Sequence, residues 1–242
     1  MDFTLFKDRS EMMNKKVGFW LLWLGFIGYA FLLAPPIQPN TLELIANLSL
    51  VHWGKINAVV VALFNLMGIW PLIYICLMLI DGRGQKIPAW LFSVVSFGVG
   101  AFAILPYLAL REPYTEFNGE KNILLKILDS RWFGILLSIG VFALISYGLI
   151  NGDWQDFVRQ WQSDRFIHVM SLDCCLLSLL FPVLLKDDMA RRGMDDFRIF
   201  WAISMVPLLD PLAYLCVRYV LPHRLAPTPL SGSTDITSIK VK

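Results

Sequence analysis

The chain has 242 residues, 57% of them hydrophobic and 17% charged, with a formal net charge of +2 and a mean hydropathy of +0.59. A soluble domain carries roughly a quarter charged residues, so this composition excludes an ordinary soluble globule and indicates a membrane protein. The charge is small and its basic residues are scattered, which excludes nucleic acid as a partner and leaves the lipid bilayer as the first one.

Residues 1–16 form a polar N-terminal segment with Asp2, Lys7, Asp8, Arg9, Glu11, Lys15 and Lys16. The run VGFWLLWLGFIGYAFLLA follows and ends at Pro35-Pro36 without an A-x-A site, so it reads as a retained first span over 17–34. In PPIQPNTLELIANLSL, Asn40 and Glu43 have capping-box spacing and open a short helix that lies on the bilayer. Further apolar windows at 57–80, 88–110, 132–150, 166–185 and 199–221 bring the expected spans to six. Tryptophans 53, 90, 132, 154, 161 and 201 at or near their ends fit headgroup level. Pro71, Pro106, Pro182, Pro207 and Pro211 predict kinks inside spans.

GEKNILLKILDSR, within the amphipathic connector 112–131, is too short and charged to span. In NGDWQDFVRQWQSDRF, Trp154, Phe157, Val158 and Trp161 share one helical face, which predicts a second interfacial helix. Residues 222–242 have no periodicity and read as a disordered tail.

The two halves share an order of elements: span, interfacial helix, span, charged loop, span, then YLxxR. A shift of 107 places Asp81 on Asp188 and Tyr107-Leu108 on Tyr214-Leu215. The expected architecture is therefore all-α and integral to the membrane, with six transmembrane helices in two three-span repeats at 17–111 and 132–221. Three spans per unit make the repeats inverted. With the N-terminus inside, 12 Lys and Arg fall inside against 9 outside, which weakly favours N-in and C-in.

Ionisable residues inside spans need a reason. Asp173 and Asp210 stand near the centres of spans five and six at similar depth, where they could share a proton. The alternative reading is that each bonds backbone carbonyls opened by the prolines or faces a partner protein. With Asn65, a polar position in span two, they form a candidate midplane site. His168 is a candidate ligand, but His52 and His223 lie outside the windows, which argues against bis-histidine haem. Tyr107 and Tyr214, with Arg111 and Arg218 one turn on, read as interface anchors whose arginines reach the headgroups. Cys76, Cys174, Cys175 and Cys216 lack metal-ligand spacing and read as apolar packing residues. No catalytic residue, metal site or cofactor is indicated, and no Walker loop, HExxH or GxSxG is present.

The segments ALFNLMGIWPLIY and DGRGQKIPAW, within a stretch from about residue 35 to 112 and less sharply 160–218, resemble an uncharacterised family of multi-span proteins in cyanobacteria and plastids. The resemblance implies a setting: a thylakoid or plasma membrane of a photosynthetic organism, and a photosynthetic or respiratory complex as a partner. The expected function is a non-enzymatic assembly or accessory factor of that membrane. The alternatives are a small proton-coupled transporter with a midplane site and a membrane enzyme acting on an isoprenoid or lipid.

Overall fold

The computed structural model describes residues 3–113, 122–194, 209–219 and 221. Every element among them is helical: α1 (Phe3–Gly28), α2 (Thr41–Ser49), α3 (Ala58–Asp81), α4 (Ala89–Val99), α5 (Ala101–Leu110), α6 (Ile123–Leu128), α7 (Arg131–Asn151), α8 (Trp154–Ser163), α9 (Arg165–Arg191) and α10 (Leu209–Val217), with a π-turn at Tyr29–Leu33 and a 3-10 turn at Gly82–Gly84. Four of them are long and apolar enough to cross a membrane: α1 with its π-turn, α3, α7 and α9.

The 88–110 window is not a span. Helices α4 and α5 have 11 and 10 residues, about 15 Å each at 1.5 Å per residue, and neither crosses 30 Å of hydrocarbon. They meet at Gly100, whose φ of +53° and ψ of −126° lie in a region open to glycine. The chain folds back there. Phe92 lies against Tyr107 at 5.7 Å between ring centroids. At the open end, Gln85 Nε2 donates to the Glu112 carbonyl at 2.6 Å and Glu112 N–H donates to Gln85 Oε1 at 2.8 Å. Gly82 lets the hairpin begin beside α3, since a Cβ there would sit 2.4 Å from that of Ala89.

This hairpin changes the expected topology. Down the length of α3 and α9, Phe64 meets Phe166, Trp70 Nε1 donates to Cys174 Sγ at 3.3 Å, and Tyr74 O–H donates to the Leu177 carbonyl at 2.6 Å. The two helices run in the same direction, opposite to what inverted repeats require. The first half contains two long helices rather than three, so the second half starts from the same end. The window 199–221 falls largely outside the described residues, and so does the 222–242 tail.

Both short helices expected between spans form. Helix α8 is started by Asp153, whose carboxylate accepts from Asp156 N–H at 3.0 Å, and its Phe157 and Trp161 pack toward Val60 and Ile167. Helix α2 forms without the expected capping box, because Asn40 makes no side-chain bond to the helix. Its start is held instead by Thr41 Oγ1, which donates to the Gln38 carbonyl at 2.8 Å.

The hairpin is fastened to α1. Pro106 has no N–H to offer the Phe102 carbonyl four residues back, and Trp23 Nε1 donates to that oxygen at 2.9 Å. Phe26 stacks on the Phe102 ring at 4.4 Å. Helix α10 packs in a comparable way on α7, where a Cβ at Gly134 would lie 2.8 Å from the Leu215 carbonyl carbon.

Candidate functional site

Among the described residues, two buried polar constellations carry carboxylates that bridge elements of the bundle. The first is at the hairpin tip. Asp173, toward the middle of α9 and 5% exposed, accepts through Oδ1 from Ala101 N–H at 2.8 Å. Ala101 is the first residue of α5, so the carboxylate sits at the positive end of a half-helix. Its Oδ2 fills the space a Cβ would need at Gly100, only 1.8 Å from that position. A glycine at the turn and an aspartate on the facing helix are thus one device.

The other expected members of this site are placed differently. Asn65 Nδ2 donates to the Val61 carbonyl of its own helix at 2.8 Å and makes no bond to Asp173. Asp210 is a backbone member of α10, and its side chain lies outside the described residues. His168 has both ring nitrogens occupied: Nε2 bonds the Tyr29 hydroxyl at 2.7 Å and Nδ1 the Trp161 carbonyl at 2.9 Å. Its ring stacks between Trp161 and Tyr29. It ties the π-turn after α1 to α8 and α9, and no nitrogen is left to ligate.

The second constellation is a buried ionic network where the C-terminal ends of α3 and α9 meet. Tyr107 O–H donates to Asp81 Oδ2 at 2.5 Å, and Arg111 Nη1 donates to Asp81 Oδ1 at 2.8 Å. Each residue has its counterpart 107 positions on. Tyr214 O–H donates to Asp188 Oδ2 at 2.6 Å, and Arg218 Nη1 lies 3.8 Å from that oxygen. Cross-links join the two trios, with Arg111 bonded to Asp187 and Arg191 to Asp81. Arg192 binds Asp188 at 2.8 Å and Asp129 at 2.8 Å.

The anchor role expected for these tyrosines and arginines is therefore overturned. Arg111 and Arg218 are 4% and 1% exposed, and neither reaches the surface. Folding back at Gly100 brings the end of α5 beside Asp81, where an ion pair competes successfully with headgroup water. Burial alone would lower the Arg111 guanidinium, but the Asp81 and Asp187 carboxylates outweigh it and hold the group above its ordinary value. Burial likewise works against charged Arg192, and Asp188 in the first place reverses the effect.

At the opposite end, a shallow depression of about 690 Å³ is lined by Trp53, Lys55, Asn57, Tyr147, Asp153 and Asp156 among others. Across it, Asn57 Nδ2 donates to both the Asp153 carbonyl and Asp156. Among the described residues, no cluster of His, Cys, Asp or Glu could hold a metal ion. Comparison with known proteins finds no matching family, no similar curated protein and no similar solved structure.

Proposed function

We propose that the chain is an integral membrane protein that moves a proton or a small cation, with Asp173 as the working carboxylate. Four helices cross the bilayer and the α4–α5 hairpin enters it from the face bearing the ionic network. The observation that carries the reading is the bond from Ala101 N–H to Asp173 Oδ1, at the start of a half-helix that begins inside the bundle. Broken helices whose ends meet polar groups at mid-depth are the usual way a transporter builds a site. The recurrence of Asp, Tyr and Arg at 107-residue spacing supports an internal duplication whose two copies run in the same direction. The reconstituted protein should carry a proton-coupled or cation flux that Asp173→Asn reduces at least tenfold while leaving insertion intact. Flux unchanged in that variant would sink the proposal. Absent flux together with a co-purifying membrane complex would favour the accessory-factor reading, for which the exposed flank of α1, including Leu21 and Leu24, offers a surface.

The same topology bears on orientation. Lys15, Lys16, Arg83, Lys86, Arg111, Lys126, Arg131, Lys186, Arg191, Arg192 and Arg218 belong to the network end, against Lys55, Arg159 and Arg165 at the other. That asymmetry supports a cytoplasmic, or equivalent inner, location for the N-terminus and the network. Cysteines introduced at Lys86 and Lys126 should both resist an impermeant maleimide in intact cells, while one at Gln162 reacts. Labelling at Lys126 alone of the first pair would restore the six-span alternation.

A further inference from the structure

The two arginines of the duplicated trios are not equally satisfied, and the difference traces to one position. Arg111 is held by Asp81 and, from the other half, by Asp187. The same relation carried 107 residues forward gives Arg218 its Asp188, and from the other half residue 80. Residue 80 is an isoleucine, 2% exposed and packed with Leu125 and Leu221. The second carboxylate is missing by sequence. Arg218 is 1% exposed, its Nη2 donates to the Leu128 carbonyl, and its Nε and Nη1 have no hydrogen-bond partner among the described residues. Among the described residues, the nearest carboxylates, Asp188 and Asp129, both stand off at 3.8 Å. A buried guanidinium with unmet N–H groups is costly, and the other three arginines of the network each have a carboxylate within hydrogen-bond distance.

We infer that Arg218 binds an oxyanion of the phosphate type, which supplies the acceptor that Asp187 supplies to Arg111. A guanidinium matches phosphate oxygens with two parallel N–H bonds, and Tyr219, next in the chain and 57% exposed, keeps the site close to the surface of the bundle. The oxyanion comes either from solution or from the headgroup of an anionic lipid, which juxtamembrane arginines attract.

Thermal unfolding in a phosphate-free maltoside detergent separates these sources. Inorganic phosphate, titrated at constant ionic strength, should raise the midpoint saturably by about 2–4 °C if the free anion binds. Phosphatidylglycerol added to the micelles, and not phosphate, should do so if the headgroup binds. Either response supports the site, and response to neither overturns it. Ile80→Asp, which restores the missing carboxylate, should remove the response, and so should Arg218→Gln, which removes the charge. A wild-type-sized response in either folded variant would place the anion elsewhere and overturn the assignment.

Discussion

Replacing Asp188 by alanine should cost at least about 3 kcal/mol, the range found when one partner of a buried ion pair is removed. The carboxylate is fully buried and accepts from Arg192 Nε and Tyr214 O–H, with Arg191 and Arg218 within 4 Å. Alanine leaves these buried guanidiniums without their shared anion. The purified variant should lose its monodisperse elution or unfold at a much lower temperature in detergent. Arg159→Ala is the control, since that arginine pairs with Asp156 at 3.5 Å while 74% exposed. Exposed pairs of this kind contribute under about 1 kcal/mol. Equal effects from the two substitutions would mean that the network is hydrated and that its burial does not govern stability.

Much of this network was legible before the fold was known, but its meaning was not. The 107-residue recurrence of Asp81, Tyr107 and Arg111 at Asp188, Tyr214 and Arg218 is in the letters. What misled was the window 88–110. Its 23 residues carry no charge, and hydropathy measures only whether each residue tolerates lipid or protein, not whether the chain turns back. The available signal was local: Gly98 and Gly100 two residues apart, ahead of Pro106, in the middle of the window. Read as a straight helix, that segment puts Arg111 on the opposite face from Asp81 and makes it a headgroup anchor. Folded at Gly100, it brings both to one ion pair. The same error explains the near-even count of basic residues on two sides, because the connector with Lys126 and Arg131 was assigned to the wrong end. Helices α3, α7, α8 and α9 were legible because their signals, long apolar runs and an amphipathic stripe, are properties of single elements. The pairing of Asp173 with Gly100 was not, since it joins residues 73 positions apart across a turn that hydropathy cannot register.

Gly100→Ala tests that pairing directly. Two costs fall on one methyl group. An L-residue at φ +53° is strained by roughly 1–2 kcal/mol, and the new Cβ would stand 1.8 Å from Asp173 Oδ2, so the carboxylate must leave its place. Its bond from Ala101 N–H then goes too, a contribution of about 0.5–1.5 kcal/mol. Asp173→Ala alone removes the bond and leaves a buried N–H unmet. In the double variant the collision no longer exists and the bond is already lost, so only the backbone strain is added. The two single costs should therefore exceed the double by about 1 kcal/mol or more, as expected for residues in contact. Thermal unfolding of the four proteins in one detergent gives the cycle. If the costs simply add, the carboxylate does not occupy the turn, and the hairpin tip is held by packing on Trp23 and Phe26 instead. If transport is measured alongside, Gly100→Ala should reduce flux as Asp173→Asn does, because each displaces the same carboxylate from the start of the half-helix.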